Sequence, residues 1–222
     1  MKKKSKIILI SSIIITSLSL AVLIPFIILG IRTSSIKNDY SYLSEDEHYS
    51  LKIEDTGIDL VTQKISCGYA TIEMMSTYYG NKVSEEELST RNNGQITTAS
   101  SDGFLKEINK SISTKTFVKK SYLKNDALLK TIHDSLSNNN PVAIEWAAKY
   151  EGEWTLHFSL ITGIDIGGDN ITIYNPYGYI ETIVIKDFIS RSTFEAYQQM
   201  PLFLNFGFAF GAFEKNTIFF AQ

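Results

Sequence analysis

The sequence contains a single cysteine, Cys67, and three histidines, His48, His133 and His157. Cys67 stands in Gln63-Lys64-Ile65-Ser66-Cys67-Gly68-Tyr69-Ala70, where a polar loop gives way to a helical pattern. At a helix amino terminus the unpaired N–H groups and the macrodipole stabilise an anion, so a thiol placed there is drawn toward its thiolate. Gly68 leaves the approach to the sulfur open. Gln63, four residues earlier, can aim its amide N–H beside Cys67, where an oxyanion develops during acyl transfer, with the Cys67 amide as second donor. Such a nucleophile needs a base, and His157 follows by 90 residues at the start of the strand-like Phe158-Ser159-Leu160-Ile161. Asn175, 18 residues further, ends Ile171-Thr172-Ile173-Tyr174 and would hold the imidazole in one tautomer if the two strands pair.

Taken singly, a cysteine is a small buried hydrophobe and a histidine a satisfied core residue. The ordered set Gln63, Cys67, His157, Asn175 is what points to nucleophilic catalysis. Asp165 is the rival third member, though beside Gly167-Gly168 it reads as a hairpin-turn residue. His48 and His133 receive no role. The histidines show no metal-ligand spacing and one thiol excludes Cys-rich metal sites, so neither a metal nor another cofactor is expected. Glu85-Glu86-Glu87 reads as a solvated helix start, and Tyr69, Trp146 and Trp154 as either groove or core aromatics.

These residues require elements that place them. Residues 67–79 carry Ala70, Met74, Met75 and Tyr78 at helical spacing and stop at Gly80. Ser84 and Glu87 form a capping box for a short helix, and residues 103–112 and 126–137 are two more helices, the last broken at Asn138-Asn139-Asn140-Pro141. Residues 141–147, 157–164, 170–174 and 180–185 are β-branched or aromatic runs between Gly, Asp and Asn, the pattern of antiparallel strands. Residues 202–213 lack charges, are too short to span a membrane, and alternate Phe with small residues, which predicts two further strands. Helices first and strands second make an α+β domain.

With those residues in place, residues 60–195 resemble the papain-like cysteine peptidases, and among them the C39 type. The likeness runs from Gln63 and Cys67-Gly68-Tyr69-Ala70 through Tyr79-Gly80, Val83-Ser84, Pro141-Val142-Ala143-Ile144 and His157-Phe158 to Asn175-Pro176 and Gly178. The resemblance implies a papain-like fold with amino-terminal helices and a carboxy-terminal antiparallel sheet. It also implies Cys67 as nucleophile, His157 as general base, Asn175 as orienting residue and Gln63 as oxyanion donor. The residue before the cysteine is usually Asp in that family and here is Ser66, and the third member is more often Asp than Asn. C39 domains are familiar as cytoplasmic parts of exporters, so their double-glycine leader substrate does not carry over.

The amino terminus sets the location. Residues 7–31 are 25 positions without a charge, and as a helix they would extend about 37 Å, enough to cross a bilayer with some tilt. Lys2, Lys3, Lys4 and Lys6 mark residues 1–6 as the cytoplasmic side, so the rest faces outward. The run exceeds an ordinary signal-peptide core and no clear small-x-small cleavage motif follows, which favours a retained anchor over a cleaved signal. Residues 32–50 are polar and acidic and read as an extracytoplasmic tether, leaving residues 51–222 as the peptidase domain. The six bases of residues 1–37 leave 15 against 24 acids, a net of −9 for residues 38–222, which excludes nucleic-acid binding on electrostatic grounds. The expected partners are a peptide or protein substrate and the membrane, and the oligomeric state is not legible. The competing reading is a noncatalytic binding module of the same fold, tethered to the cell surface.

Overall fold

The computed structural model describes residues 2–55 and 57–222, with side chains described from residue 10 onward, so the side chains of the Lys2 to Lys6 cluster lie outside the described residues. The charge-free run folds as helix α1 (Lys2–Ser35), within which Ile10–Ser35 is long and apolar enough to cross a membrane.

The four helices expected in the first half are present as α2 (Cys67–Tyr78), α3 (Glu85–Arg91), α4 (Ser101–Ser111) and α5 (Asn125–Ser137). Their starts follow from side chains: Ser66, Ser84 and Ser100 each accept a first-turn amide, and Ser84 with Glu87 closes the capping box. Gly80 ends α2 with φ of 79°, a left-handed position that glycine adopts without a Cβ penalty.

The strands are β1 (Phe117–Lys120), β2 (Val142–Tyr150), β3 (Glu153–Asp165), β4 (Asn170–Asn175), β5 (Tyr179–Val184) and β6 (Thr217–Ala221). They form one antiparallel sheet in the order β1-β6-β2-β3-β4-β5. Glu151 and Gly152, both with positive φ, make the two-residue turn that suits the twist of the β2–β3 hairpin. Along β2 the period of two divides the core: Val142, Ile144, Trp146 and Ala148 pack with Leu128, Leu129 and Ile132 of α5. On the other face Ala143 packs with Tyr69 and Ile72 of α2 and Phe104 of α4. Helix α6 (Ile185–Ser192) adds Phe188 and Ile189 to the α5 side.

Two expectations are overturned. The residues expected as two carboxy-terminal strands, 202–213, instead begin with helix α7 (Leu202–Ala209), which packs on α1, and only Thr217–Ala221 is a strand. Alternation of Phe with small residues imitates a strand, but Leu204 and Phe208, one helical turn apart, are the pair buried. The segment expected as a tether is a strap laid on the domain. Ile36 and Leu43 are fully buried, the Ile36 carbonyl accepts the Asn125 amide at 2.9 Å, and the Tyr42 hydroxyl donates to Asp126 at 2.8 Å. Polar composition hid those few apolar anchors, which are enough to hold a short segment against a helix.

Candidate active site

Ser66 caps α2, so Cys67 occupies its first position, as the sequence suggested. The loop before it is held by an anion. Glu85 at the first position of α3 is buried, and its carboxylate accepts the backbone amides of Lys64, Ile65 and Ser66 at 2.8, 2.9 and 3.0 Å. The solvated role expected for the Glu85-Glu86-Glu87 run therefore holds for Glu86 and fails for Glu85. A carboxylate has the lone pairs to take several N–H groups at once, and those bonds are charge-assisted. The same loop is pinned on its other side, because the Gln63 backbone N–H donates to the Pro176 carbonyl at 2.7 Å. Gln63 and the turn after Asn175 are thus brought together.

His157 and Asn175 are neighbours across β3 and β4, both fully buried, with His157 Nε2 2.9 Å from Asn175 Oδ1. The tautomer follows from the partners. The Tyr177 amide, which can only donate, lies 3.0 Å from the same oxygen, while Asn175 Nδ2 donates to Tyr179 and to Glu181 at 3.1 and 3.0 Å. The atom facing His157 is therefore the carbonyl oxygen, so Nε2 carries the hydrogen and Nδ1 is bare. That Nδ1 is buried with no hydrogen-bond partner. Tyr177 stacks on the imidazole at 4.0 Å between ring centroids and 22° between planes, which fixes the ring from one side. Glu181 is in turn held by Arg191 through two bonds of 2.7 and 3.1 Å, and the Arg191 guanidinium lies 3.5 Å over the Trp146 ring.

Cys67 packs on the cluster that includes Phe158, the residue next in the chain to His157, and the backbone amides of Phe158, Gly68 and Cys67 act on the thiol in the direction of its anion. Those donors favour a thiolate, but burial outweighs them and pushes the thiol up to about 11 even though the residue keeps a partly open surface. Burial also pushes His157 down to about 3, opposed by its bond to Asn175. Both shifts favour the neutral form, a thiol at Cys67 and an imidazole at His157, the reverse of the lowered thiol that the helix start alone suggests. Glu145, on the α2 side of β2, is pushed up to about 8 by burial, and its charge acts in the same direction as burial on Cys67, raising the thiol. Its Oε2 pairs with the Ser101 hydroxyl.

Gly68 has a steric reason. A Cβ there would lie 2.3 Å from Thr98 Oγ1 and 2.5 Å from its Cβ. Gly68→Ala should therefore push the start of α2 off Thr98 and lower stability by about 1–3 kcal/mol, read as a reduced urea midpoint at unchanged m-value.

Glu85, Tyr177 and Glu181 were not singled out from sequence. Glu181 had a signal, being an acidic residue whose period-two position on β5 matches the inward side. Glu85 had none, because three consecutive glutamates do not say which one turns inward. Asp165 accepts the Gly168 amide at 2.7 Å and is the turn residue expected. Away from this site, His48, His133 and Asp134 bring ligand atoms within 4.8 Å of one another, although the two histidines are far apart in sequence. His48 pairs with Asp134 at 3.1 Å in an exposed contact, and His133 Nε2 is 3.0 Å from the Leu51 carbonyl.

The profile of the Peptidase_C39 like family matches residues 55–201. The chain belongs to that family. Among solved structures, its fold is similar to a double glycine motif protease from an AMS/PCAT transporter in complex with its leader peptide, at 15% identity and a TM-score of 0.51, covering 76% of this chain and 94% of that one. It is also similar to a C39-like peptidase from Bacillus anthracis, at 14% identity and a TM-score of 0.50, covering 78% and 98%. No curated protein matches. The Peptidase_C39 like region thus takes in α2 through α6 and the whole Gln63, Cys67, His157, Asn175 set, whereas α1, the strap, α7 and β6 lie outside it.

Proposed function

We propose that this member of the Peptidase_C39 like family is a membrane-anchored cysteine peptidase whose domain faces outward. The observation that carries the reading is the bare, buried Nδ1 of His157, held in one tautomer by Asn175 on the residue adjoining the amide that acts on Cys67. In this mechanism the Cys67 sulfur attacks the peptide carbonyl while Nδ1 takes its proton. The resulting imidazolium returns that proton to the leaving amine, giving a thioester that water then hydrolyses. Gln63 and the Cys67 amide stabilise the oxyanion. Gln63 Oε1 is buried without a partner, so a 180° turn of the amide would present Nε2–H to that space. The substrate is a peptide or an extended protein segment, in keeping with the leader peptide bound by the transporter protease of similar fold. Helix α1 spans the membrane with Lys2 to Lys6 on the cytoplasmic side.

A peptide library incubated with the full-length protein in detergent tests this directly. Cleavage is expected with wild type, and loss by at least about 10³-fold with Cys67→Ala and with His157→Ala. Identical cleavage by wild type and Cys67→Ala would end the proposal. A second reading is favoured by the neutral thiol and imidazole: the fold retains the groove and binds a peptide without cutting it. Peptide binding by wild type and Cys67→Ala alike, with no cleavage by either, would support that version.

A further inference from the structure

Helix α7 is apolar except for Asn205, and only one side of it is covered. Leu204 and Phe208 are buried, Phe208 against Phe194 and Phe213, while Leu202, Phe203, Phe206 and Phe210 are 70, 69, 38 and 58% exposed. Those four fall along one side at spacings of three and four, and no charge interrupts residues 202–213. A helix of this kind is normally buried on every side. Large exposed apolar patches mark the surface of a partner or a membrane.

The neighbour of this face identifies which. Phe206 packs edge-on against Phe26 of α1 at 5.2 Å, and Leu29 of α1 packs on the cluster that includes Phe208. The outward residues of α1 at that level, Leu23, Ile27 and Ile31, are 54, 52 and 65% exposed. The two helices therefore present one continuous apolar surface. A hydrocarbon core of about 30 Å takes about 20 helical residues, and counted from the end of the basic cluster it reaches residue 26. In the tilted span of residues 7–31, Phe26 thus lies in the outer part of the outer leaflet, and α7 lies beside it.

We propose that α7 is an interfacial helix that sinks its Leu202, Phe203, Phe206 and Phe210 face into the outer leaflet beside α1. The inference rests on the reading of α1 as a membrane span. Its partner is a lipid surface, which an amphipathic or apolar helix enters by burying that side at the headgroup–acyl boundary. Because the strap also packs on the domain, the peptidase region is seated on the bilayer in a fixed orientation rather than swinging on a linker. Substrates would then be segments presented close to the membrane.

Spin labels in the full chain test it. In a Cys67→Ser background reconstituted into phosphatidylcholine–phosphatidylglycerol vesicles, single labels are placed by Phe203→Cys, Phe210→Cys, Ile14→Cys on α1 and Lys110→Cys at an exposed position of α4. Labels at 203 and 210 are expected to show oxygen-to-nickel-complex accessibility ratios several-fold above position 110, and position 14 higher still. A buried label at 14 with water-exposed labels at 203 and 210 would overturn the interfacial helix and leave the α1 span intact. Water-exposed labels at all four sites would overturn both. Using two sites on α7 separates a local folding defect from true exposure, and circular dichroism of each labelled protein checks its fold.

Discussion

Glu85→Ala is expected to unseat the loop that carries Gln63 and Cys67. Three backbone amides now end on that carboxylate. Lys64 is exposed, so its amide can return to water, whereas Ser66 is buried and Ile65 half-buried. A buried donor left without a partner costs about 1–3 kcal/mol, which puts the loss at about 2–4 kcal/mol of stability. The functional effect should exceed the stability effect, because a shift of about 1 Å in the loop displaces both the proposed nucleophile and the proposed oxyanion donor, and such displacements cost about 100-fold in rate. Glu86→Gln, one residue along on the exposed side, is the control and should change neither quantity. Urea unfolding and peptide turnover on the three proteins check this. A Glu85→Ala protein with wild-type turnover would show that the carboxylate does not position the site.

The second large effect is in the reactivity of Cys67. With the thiol pushed up to about 11 and His157 down to about 3, the free protein at pH 7 holds both groups neutral. The sign follows directly: a raised thiol pKa means that the thiolate is scarce below it and grows with pH. At pH 7 the thiolate fraction would be about 10⁻⁴, and iodoacetamide alkylation should climb about tenfold per pH unit from about pH 7 to 9.5 without an acid-side plateau. His157→Ala should alter that profile little and yet abolish turnover, since the imidazole acts on the proton only as the sulfur attacks. A flat, fast profile between about pH 5 and 8 that collapses in His157→Ala would instead establish a resting thiolate–imidazolium pair. The cause of the expected result is desolvation: each charged form is penalised by the same packing that brings the two groups together. In the proposed mechanism, peptide binding has to lower that penalty before acyl transfer runs at neutral pH.

Much of the protein was legible without coordinates. Helical spacing of Met74 and Met75, the Ser84–Glu87 capping box, the Gly80 stop and the alternating runs between 141 and 185 are local signals, fixed by backbone geometry and by side chains a few residues apart. The candidate set could be read for the same reason, because Cys67 at a helix start and His157 and Asn175 on successive strands need only one hairpin to meet. Local periodicity misled at residues 202–213, where Phe at alternate positions described a strand and the covering surface of α1 and Phe194 made a helix.

What the sequence by itself determined was therefore the run of α2 to α5 followed by β2 to β5, the α+β class and the identities of the groups that could do chemistry. Tertiary structure alone decided their state. Glu85 was indistinguishable from Glu86 until α3 docked beneath the Cys67 loop, and Tyr177 was a turn residue until its ring lay on His157. The apolar anchors Ile36 and Leu43 turned a polar tether into a strap. The Cys67 shift runs opposite to the one a helix start alone suggests, because a helix terminus acts on a thiol from within one turn, while burial depends on every element packed around it.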